Sequence, residues 1–144
     1  MSRPNDKKKI VVLGAGFGGL KAAQVLSSGI RKLELEEKYD VVLIDQRNYH
    51  TYYPTLYEIA TTSKNLANQL DLKRIVTISL SDIFEDKPIT VIQERLTELD
   101  LIEGDIHSES GKKYGFDYLV MALGTEVNYF DIPGLKENSI TLKS

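Results

Sequence analysis

The chain has 144 residues, of which 42% are apolar, so it can fold around an ordinary hydrophobic core, and its formal net charge of −3 gives no basic surface for nucleic acid. No apolar run reaches the roughly 18 residues that a membrane-spanning helix needs, and the polar residues 1–9 do not resemble a secretory signal. With no cysteine and only His50 and His107 as imidazole donors, the sequence predicts neither thiol redox chemistry nor a metal site, so any redox function requires a bound cofactor.

The first elements along the chain form a βαβ pattern. Residues 10–13 and 41–44 are continuous apolar, largely β-branched runs, as expected for strands buried on both faces of a parallel sheet. Between them, apolar residues recur at intervals of three and four, which predicts an amphipathic helix ending near Gly29. The charged stretch 31–38 either extends this helix or forms a surface excursion before the second strand. The apolar residues of the predicted helix are Leu20, Ala23, Leu26 and Ile30.

The middle of the chain is less regular. An aromatic loop containing Pro54 follows the second predicted strand, and a further helix is predicted around residues 66–79. From Ile89 onward apolar and polar residues alternate, and residues 103–105 (EGD) form a turn signal. These features predict a small antiparallel meander.

The final part of the chain returns to the sheet. A third buried strand is predicted at residues 118–123, and Pro133-Gly134 then makes a turn. Residues 140–142 look like the start of another element that is cut off at Ser144. The pattern therefore predicts an α/β fold with a parallel sheet and a small antiparallel meander.

The stretch VVLGAGFGGL at residues 11–20 places a G-x-G-x-x-G pattern directly after the first predicted strand and at the start of the predicted helix. Gly14 would let the chain turn tightly, Gly16 would let backbone approach a pyrophosphate, and Gly19 would let helix and strand pack closely. The helix N-terminus would present N–H groups and a positive dipole end to the phosphates. The sequence predicts a dinucleotide diphosphate site here, with a turn that binds no ligand as the alternative.

An acidic residue, Asp45, ends the second predicted strand. Its carboxylate can accept hydrogen bonds from ribose hydroxyls and would repel the 2′-phosphate of NADP. It follows Gly19 by somewhat more than the usual ~20 residues, and the stretch 31–38 accounts for the difference. This unit serves NAD and FAD equally well. The aromatic loop that contains Pro54 and the meander before the third strand favour the flavin domain of a flavoprotein that binds two dinucleotides.

Several stretches of the chain together carry a family resemblance. RNYHTYYPTLYEIAT at residues 47–61 is similar to the segment of type II NADH dehydrogenases in which an R-N-Y-H lead, a proline and L-Y-E-x-A-T follow the second strand. VVLGAGFGGLKAA at 11–23, FDYLVMALGTEVNYF at 116–130 and IPGLKENSITLKS at 132–144 extend the resemblance along almost the whole chain. It implies a Rossmann-like FAD/NAD(P)-binding three-layer fold, with a parallel sheet and a small antiparallel β-meander.

The resemblance also implies a set of FAD contacts. The glycine stretch would line the pyrophosphate, and Asp45 would hold the adenosine ribose. Besides Asp45, the full set of implied contacts is Gly14, Gly16, Phe17, Gly18 and Gly19 at the pyrophosphate, Gln46 or Arg47 beside the ribose, the Leu96 backbone at the adenine, Tyr53 and Pro54 near the isoalloxazine ring, and Ala122 and Gly124 over the diphosphate.

The segment near the expected flavin ring departs from the family pattern at two positions. Tyr53 stands where glutamine often precedes the proline, and Thr55 stands where leucine often follows it. These changes leave ring contact and quinone approach open. No catalytic side chain is predicted: the tyrosine cluster (Tyr49, Tyr52, Tyr53 and Tyr57) has a packing interpretation, His50 is interpreted as a hydrogen-bonded structural histidine, and Glu58 as a surface residue on a helix.

The activity implied by the resemblance is NADH:quinone oxidoreduction without proton pumping, in which electrons pass from NADH through non-covalent FAD to a quinone. Residues 1–144 are expected to be the N-terminal part of an FAD-binding domain, soluble and inactive alone, with an NADH-binding domain and a membrane-binding C-terminal part beyond them. The full-length protein is expected at the cytoplasmic face of the membrane, peripherally bound, and homodimerisation is left open. The alternatives are a sulfide:quinone-type flavoprotein, which needs redox cysteines, and a non-catalytic dinucleotide-binding or sensor module.

Overall fold

A computed structural model describes residues 7–69 and 71–141 of the chain. The described chain begins with a strand, a helix and a strand, as the βαβ pattern predicts; three short helices then lie together in its middle, and five consecutive strands follow the last helix. The strands are β1 (Lys8–Leu13), β2 (Tyr39–Asp45), β3 (Tyr49–Thr51), β4 (Thr77–Ser79), β5 (Ile89–Gln93), β6 (Leu96–Asp100), β7 (Asp105–Ser108), β8 (Lys113–Gly115) and β9 (Tyr118–Met121). The helices are α1 (Phe17–Lys32), α2 (Leu56–Thr61), α3 (Lys64–Gln69), α4 (Leu72–Val76) and α5 (Leu80–Ile83), and Tyr53–Thr55 forms a 3₁₀ turn.

The central sheet has four parallel strands in the order β5-β2-β1-β9. Its two faces are covered by different elements. On one face, Val12 and Leu43 pack with Ala23 of α1 and Leu80 of α5. On the other face, residues such as Leu13 pack with side chains of the antiparallel sheet β6-β7-β8. The predicted three-layer α/β fold, with a parallel sheet and a small antiparallel meander, is confirmed.

Helix α1 follows the predicted apolar spacing but extends beyond its predicted end. Gly29 lies inside the helix, which continues to Lys32 and carries basic residues in its last turn, where they complement the helix dipole. The helix stops because Glu34 adopts a left-handed conformation, with φ of 56°. The charged stretch 31–38 therefore contributes two residues to the helix and otherwise forms the turn before β2.

The meander predicted from Ile89 onward includes one strand that belongs to the central sheet instead. Strand β5 (Ile89–Gln93) pairs in parallel with β2 at the edge of the central sheet, and the meander consists of β6, β7 and β8 alone. An edge strand of a parallel sheet can have one face partly exposed, so it alternates in polarity as an antiparallel strand does. The predicted turn at residues 103–105 is present, with φ of 72° at Gly104.

The helix predicted around residues 66–79 is also wrong in its extent. The segment contains α3 and α4, and Thr77–Ser79 forms the strand β4, which pairs with β3. The β-branched pair Val76-Thr77 marks the change from helix to strand. Of the element expected at residues 140–142, Ile140 and Thr141 have no regular secondary structure, and Leu142 lies outside the described residues.

Strand β9 differs from the buried strand predicted at residues 118–123. It ends at Met121, and both Tyr118 and Met121 are exposed, at 48% and 61%. Its Lys-rich neighbour β1 begins at Lys8, and the Lys8 ammonium lies 5.8 Å from the centre of the Tyr118 ring. The apolar composition of β9 therefore indicates that it is a strand of the central sheet, but it does not indicate that Tyr118 and Met121 are buried.

The described residues fall into two compact units. The first contains residues 7–50 and 79–123, with the three layers; the second contains residues 51–78 and 124–141, with α2, α3 and α4. Across the portion of the chain that the structure describes, no helix combines the length and the apolar character needed to cross a bilayer.

A charged cluster joins the end of β5 to the meander. The Glu94 carboxylate accepts hydrogen bonds from Lys112 Nζ at 2.8 Å, from Ser110 Oγ at 2.9 Å and from the Tyr114 hydroxyl at 3.3 Å. The hydrogen bond from Lys112 and then that from Ser110 hold the pKa of Glu94 below its ordinary value of 4.5. The carboxylate therefore favours the folded state above pH 4.5, and this contribution is lost as the pH falls through the lowered folded pKa.

We expect Glu94→Gln to lower the thermal unfolding midpoint at pH 7, because the substitution removes the negative charge that Lys112 pairs with. The difference from the parent protein should shrink as the pH falls below 4.5 and through the lowered folded pKa of Glu94, where the folded parent also becomes neutral at this position. Thermal unfolding of both proteins between pH 3 and 8 measures this. Glu98→Gln is the control, since the Glu98 side chain is exposed; an equal pH profile for the two variants would contradict the assignment.

Candidate cofactor-binding site

The glycine stretch lies at the carboxyl ends of β1 and β2, where the chain leaves β1 and enters α1. In open parallel sheets, ligands bind outside the carboxyl ends of the strands. The Gly14 N–H donates to the Ile44 carbonyl at 2.8 Å, and the Ala122 N–H donates to the Leu13 carbonyl at 2.8 Å. The loop is thus connected to the neighbouring strands on both sides.

Two of the glycines are required by the packing of the fold. Gly14 has φ of 98°, and a side chain there would lie 2.8 Å from the Ala122 carbonyl carbon. A Cβ at Gly19 would overlap the Gly14 carbonyl oxygen and lie 3.4 Å from the Ala122 Cβ. The roles predicted for these two residues, a tight turn and a close approach of helix to strand, match this geometry.

Gly16 is different, because nothing in the described structure requires a glycine at this position. Its φ and ψ are −72° and −176°, which any residue adopts, and a Cβ built there meets no atom within 4 Å. Gly18 is similarly unconstrained, since its Cβ would only touch the Ala122 Cβ at an ordinary 3.9 Å. The loop therefore leaves space beside Gly16 that no side chain occupies.

The N-terminus of α1 has the electrostatic character of an anion site. Gly16 is the N-cap and offers no side-chain oxygen to the first N–H groups, and no acidic residue lies in the first turn. Those N–H groups and the positive end of the helix dipole favour a negative ligand. Phe17 is 51% exposed at the first position of the helix.

Asp45 ends β2 as predicted, and its carboxylate holds the glycine loop. Oδ2 accepts the Ala15 N–H at 2.6 Å, and Oδ1 accepts the Arg47 N–H at 2.8 Å. Each carboxylate oxygen has a second lone pair, so these two bonds leave acceptor capacity for ribose hydroxyls. The sequence pattern indicated the ribose role but not the backbone contacts.

His50, on β3, holds the same loop from another side. Its side chain is 4% exposed, and its Nδ1 lies 2.9 Å from the Ala15 carbonyl oxygen. Its ring meets the Phe17 ring edge to face, with centroids 4.8 Å apart and an interplanar angle of 80°. The interpretation of His50 as a hydrogen-bonded structural histidine is confirmed.

The other predicted residues of the first unit lie close to Asp45 in the sequence or the sheet. The Gln46 carbonyl accepts a hydrogen bond from Gln93 Nε2 at 3.3 Å. The Glu94 N–H donates to the Asp45 carbonyl at 2.9 Å, so the chain leading to Leu96 starts beside the end of β2. Leu96 begins β6 and packs with its side chain against the core. Its contact with an adenine stays a prediction.

Three predicted residues, Tyr53, Pro54 and Gly124, belong to the second unit. Tyr53 and Pro54 lie in the 3₁₀ turn, and Gly124 has φ of 76°. Their proposed flavin contacts stay predictions. Of the tyrosine cluster, Tyr52 and Tyr57 are 41% and 58% exposed, so they are not buried beneath a loop as the packing interpretation holds. Glu58 is exposed on α2, as expected.

Ala15 is a residue of the candidate site that the sequence did not indicate. Ala15 contributes only its backbone, which leaves no signature in the sequence.

Asp45→Asn is expected to destabilise the protein by about 1–3 kcal/mol, because the amide cannot accept hydrogen bonds from both backbone N–H groups and one buried donor is left unpaired. Denaturant unfolding at pH 7 measures the change. Asp40→Asn on the same strand is the matched control, since in the described part of the chain Asp40 makes only a solvent-accessible ion pair with Lys7 at 3.4 Å and such pairs contribute about 0–1 kcal/mol. Equal effects of the two substitutions would contradict the role given to Asp45.

Comparison with known proteins identifies relatives of this chain. The chain is 27% identical over 139 residues to the type II NADH:quinone oxidoreductase of Staphylococcus aureus, covering 96% of this chain and 32% of the relative. The chain thus spans about a third of the length of the curated relatives it matches. The resemblance to type II NADH dehydrogenases seen in the sequence is confirmed.

Solved structures show the same similarity. A sulfide:quinone oxidoreductase from Aquifex aeolicus superposes with a TM-score of 0.72 at 25% identity, over 92% of this chain and 28% of that one. Plasmodium falciparum NDH2, solved with NADH, gives 0.67 at 28% identity, over 92% and 25%. A family model covers residues 8–144, which include the glycine loop, Asp45 and the meander. Through this match the chain belongs to the pyridine nucleotide-disulphide oxidoreductase family.

Proposed function

We propose that residues 1–144 are the N-terminal part of the FAD-binding domain of a non-proton-pumping NADH:quinone oxidoreductase. In this proposal the NADH-binding domain and a membrane-binding C-terminal part lie outside these residues. Two comparisons support it: the similarity to the Staphylococcus aureus NADH:quinone oxidoreductase, and the similarity to an NDH2 solved with NADH. Family membership agrees with FAD as cofactor and NADH as reductant.

The observation that carries the proposal is the space beside Gly16. Gly14 and Gly19 are explained by the fold, but Gly16 has ordinary dihedral angles and no neighbour within 4 Å of its Cβ position. A position where the fold has room for a Cβ, and which yet has none, fits a backbone that a ligand approaches closely. The start of α1 offers that ligand N–H donors without a competing acidic side chain.

The residues present fit the FAD diphosphate and ribose. In the proposal, the loop N–H groups bind the diphosphate and the remaining lone pairs of Asp45 accept the ribose hydroxyls, while Gln46 and Arg47 flank the sugar. Tyr53 and Pro54 border the ring, and Ala122 and Gly124 close over the diphosphate. When bound, FAD supplies the redox chemistry, accepting hydride from NADH and passing two electrons to the quinone. The protein contributes binding and orientation.

The test is spectroscopic and uses the full-length protein. A yellow protein that loses its colour with NADH and regains it with a quinone supports the proposal, and mass spectrometry of the released flavin identifies FAD. A colourless protein that binds ADP without turnover would favour a dinucleotide sensor instead. Flotation with liposomes tests peripheral membrane binding, and light scattering tests homodimerisation.

A sulfide:quinone-type oxidoreductase is the second candidate, because the Aquifex aeolicus enzyme of that name superposes on 92% of this chain. The 144 residues contain no cysteine to serve as a redox thiol. Bleaching of the flavin by sulfide but not by NADH would favour this candidate over the first.

A further inference from the structure

His50 lies beside the glycine loop and has no part in the function proposed above. Its Nδ1 is 2.9 Å from the Ala15 carbonyl oxygen. Because a carbonyl oxygen only accepts hydrogen bonds, Nδ1 carries the proton in this contact, whatever the state of the other ring nitrogen. His50 therefore donates a hydrogen bond from Nδ1 to the Ala15 carbonyl oxygen of the loop.

The peptide groups on both sides of Ala15 are fixed by this arrangement. Asp45 accepts the Ala15 N–H at 2.6 Å, and His50 donates to the Ala15 carbonyl. In a planar trans peptide the carbonyl and the following N–H point in opposite directions. The bond from His50 therefore fixes the Gly16 N–H pointing away from the imidazole. Within residues 7–69 and 71–141, no acceptor forms a hydrogen bond with this N–H.

We propose that His50 is a positioning residue for the diphosphate of the bound dinucleotide. By holding the Ala15 carbonyl, it directs the Gly16 N–H toward a phosphate oxygen in the open space beside Gly16. The edge-to-face contact with Phe17 keeps the imidazole in the orientation that this bond needs. The inference rests on the proposed function, because it requires a dinucleotide in the loop.

Two substitutions of His50 in the full-length protein separate positioning from packing. His50→Asn keeps an N–H donor at the same number of bonds from Cβ as Nδ1, but fills less space. His50→Leu fills more of the space and has no donor. After removal of the flavin, we expect the FAD dissociation constant to rise about tenfold or more in the Leu variant and to stay within about threefold of the parent in the Asn variant.

A packing role predicts the opposite order, because the Leu variant leaves the smaller cavity. The thermal midpoints of the flavin-free proteins report packing independently of the cofactor. If the Leu variant retains FAD as well as the Asn variant or better, the inference is wrong, while the proposed function stands.

Binding of ADP and of riboflavin shows which part of FAD the His50→Leu substitution affects. ADP contains the diphosphate and riboflavin contains no phosphate, so the Leu variant should lose affinity for ADP by about the same factor as for FAD, with riboflavin binding unchanged. A loss confined to riboflavin, or an unchanged ADP affinity, would overturn the inference. If the flavin-free parent protein binds neither FAD nor ADP, the proposed function itself fails.

Discussion

Replacement of Gly19 by alanine is expected to destabilise the first unit by about 3 kcal/mol and to lower its flavin content. The added Cβ would occupy the position of the Gly14 carbonyl oxygen, and it would crowd the Ala122 Cβ at 3.4 Å. The obstructing atom belongs to the backbone, so the overlap is relieved only by moving α1 away from β1. Overpacking of this kind costs about 1–3 kcal/mol and occasionally more, and we expect the upper end here because no side chain can rotate away.

Thermal and denaturant unfolding of the full-length protein, with the flavin content per chain, measure the effect of Gly19→Ala. Gly29→Ala is the matched control in the same helix, since its Cβ would meet no atom within 4 Å. A glycine inside a helix destabilises it by roughly 0.5–1 kcal/mol relative to alanine, so the control should raise the stability. Equal stability of the two variants would show that α1 and β1 do not approach as closely as described.

The βαβ unit and its glycine loop were predictable because their signals are local. The apolar spacing of α1 and the continuous runs of β1 and β2 are periodic over single elements, and the positions of Gly14, Gly19 and Asp45 follow from the order of those elements. The end of α1 was less predictable. It depends on the left-handed conformation of Glu34, a residue that seldom adopts one, and not on Gly29.

The position of β5 could not be read from its own residues. Its alternating pattern, Ile89 to Gln93, suits an edge strand in either kind of sheet, and only its pairing with β2 decides between them. That pairing depends on contacts between residues far apart in the chain. The helix expected at 66–79 failed for a related reason, because the strand β4 is stabilised by its partner β3 and not by local periodicity.

The sequence pattern predicts the glycines and the aspartate of the candidate site, but not the hydrogen bonds that hold the loop in place. The bonds from Asp45 and His50 to Ala15 use backbone groups, and every residue except proline has the same backbone groups. Sequence patterns therefore indicate where a loop of this kind lies, while the residues that hold its peptides in place become visible only from coordinates.

Replacement of Gly16 by threonine is expected to abolish tight FAD binding while leaving the fold intact. Threonine is about as good an N-cap as glycine, the dihedral angles at position 16 suit it, and its Cβ would meet no atom within 4 Å. The same side chain would fill the space in which the diphosphate approaches the loop. We expect FAD affinity to fall on the order of 100-fold, which corresponds to about 2.7 kcal/mol.

For the proposal to hold, Gly16→Thr must lower FAD affinity without lowering the stability of the flavin-free protein. Unfolding of the flavin-free variant should match that of the flavin-free parent within about 0.5 kcal/mol, as for a surface substitution, while titration with FAD shows the loss of affinity. Gly29→Ala should keep full FAD affinity, because its added methyl group lies elsewhere on α1. Undiminished FAD binding by Gly16→Thr would mean that no ligand uses this space. A parallel loss of stability would mean that the fold, and not the cofactor, requires glycine at position 16.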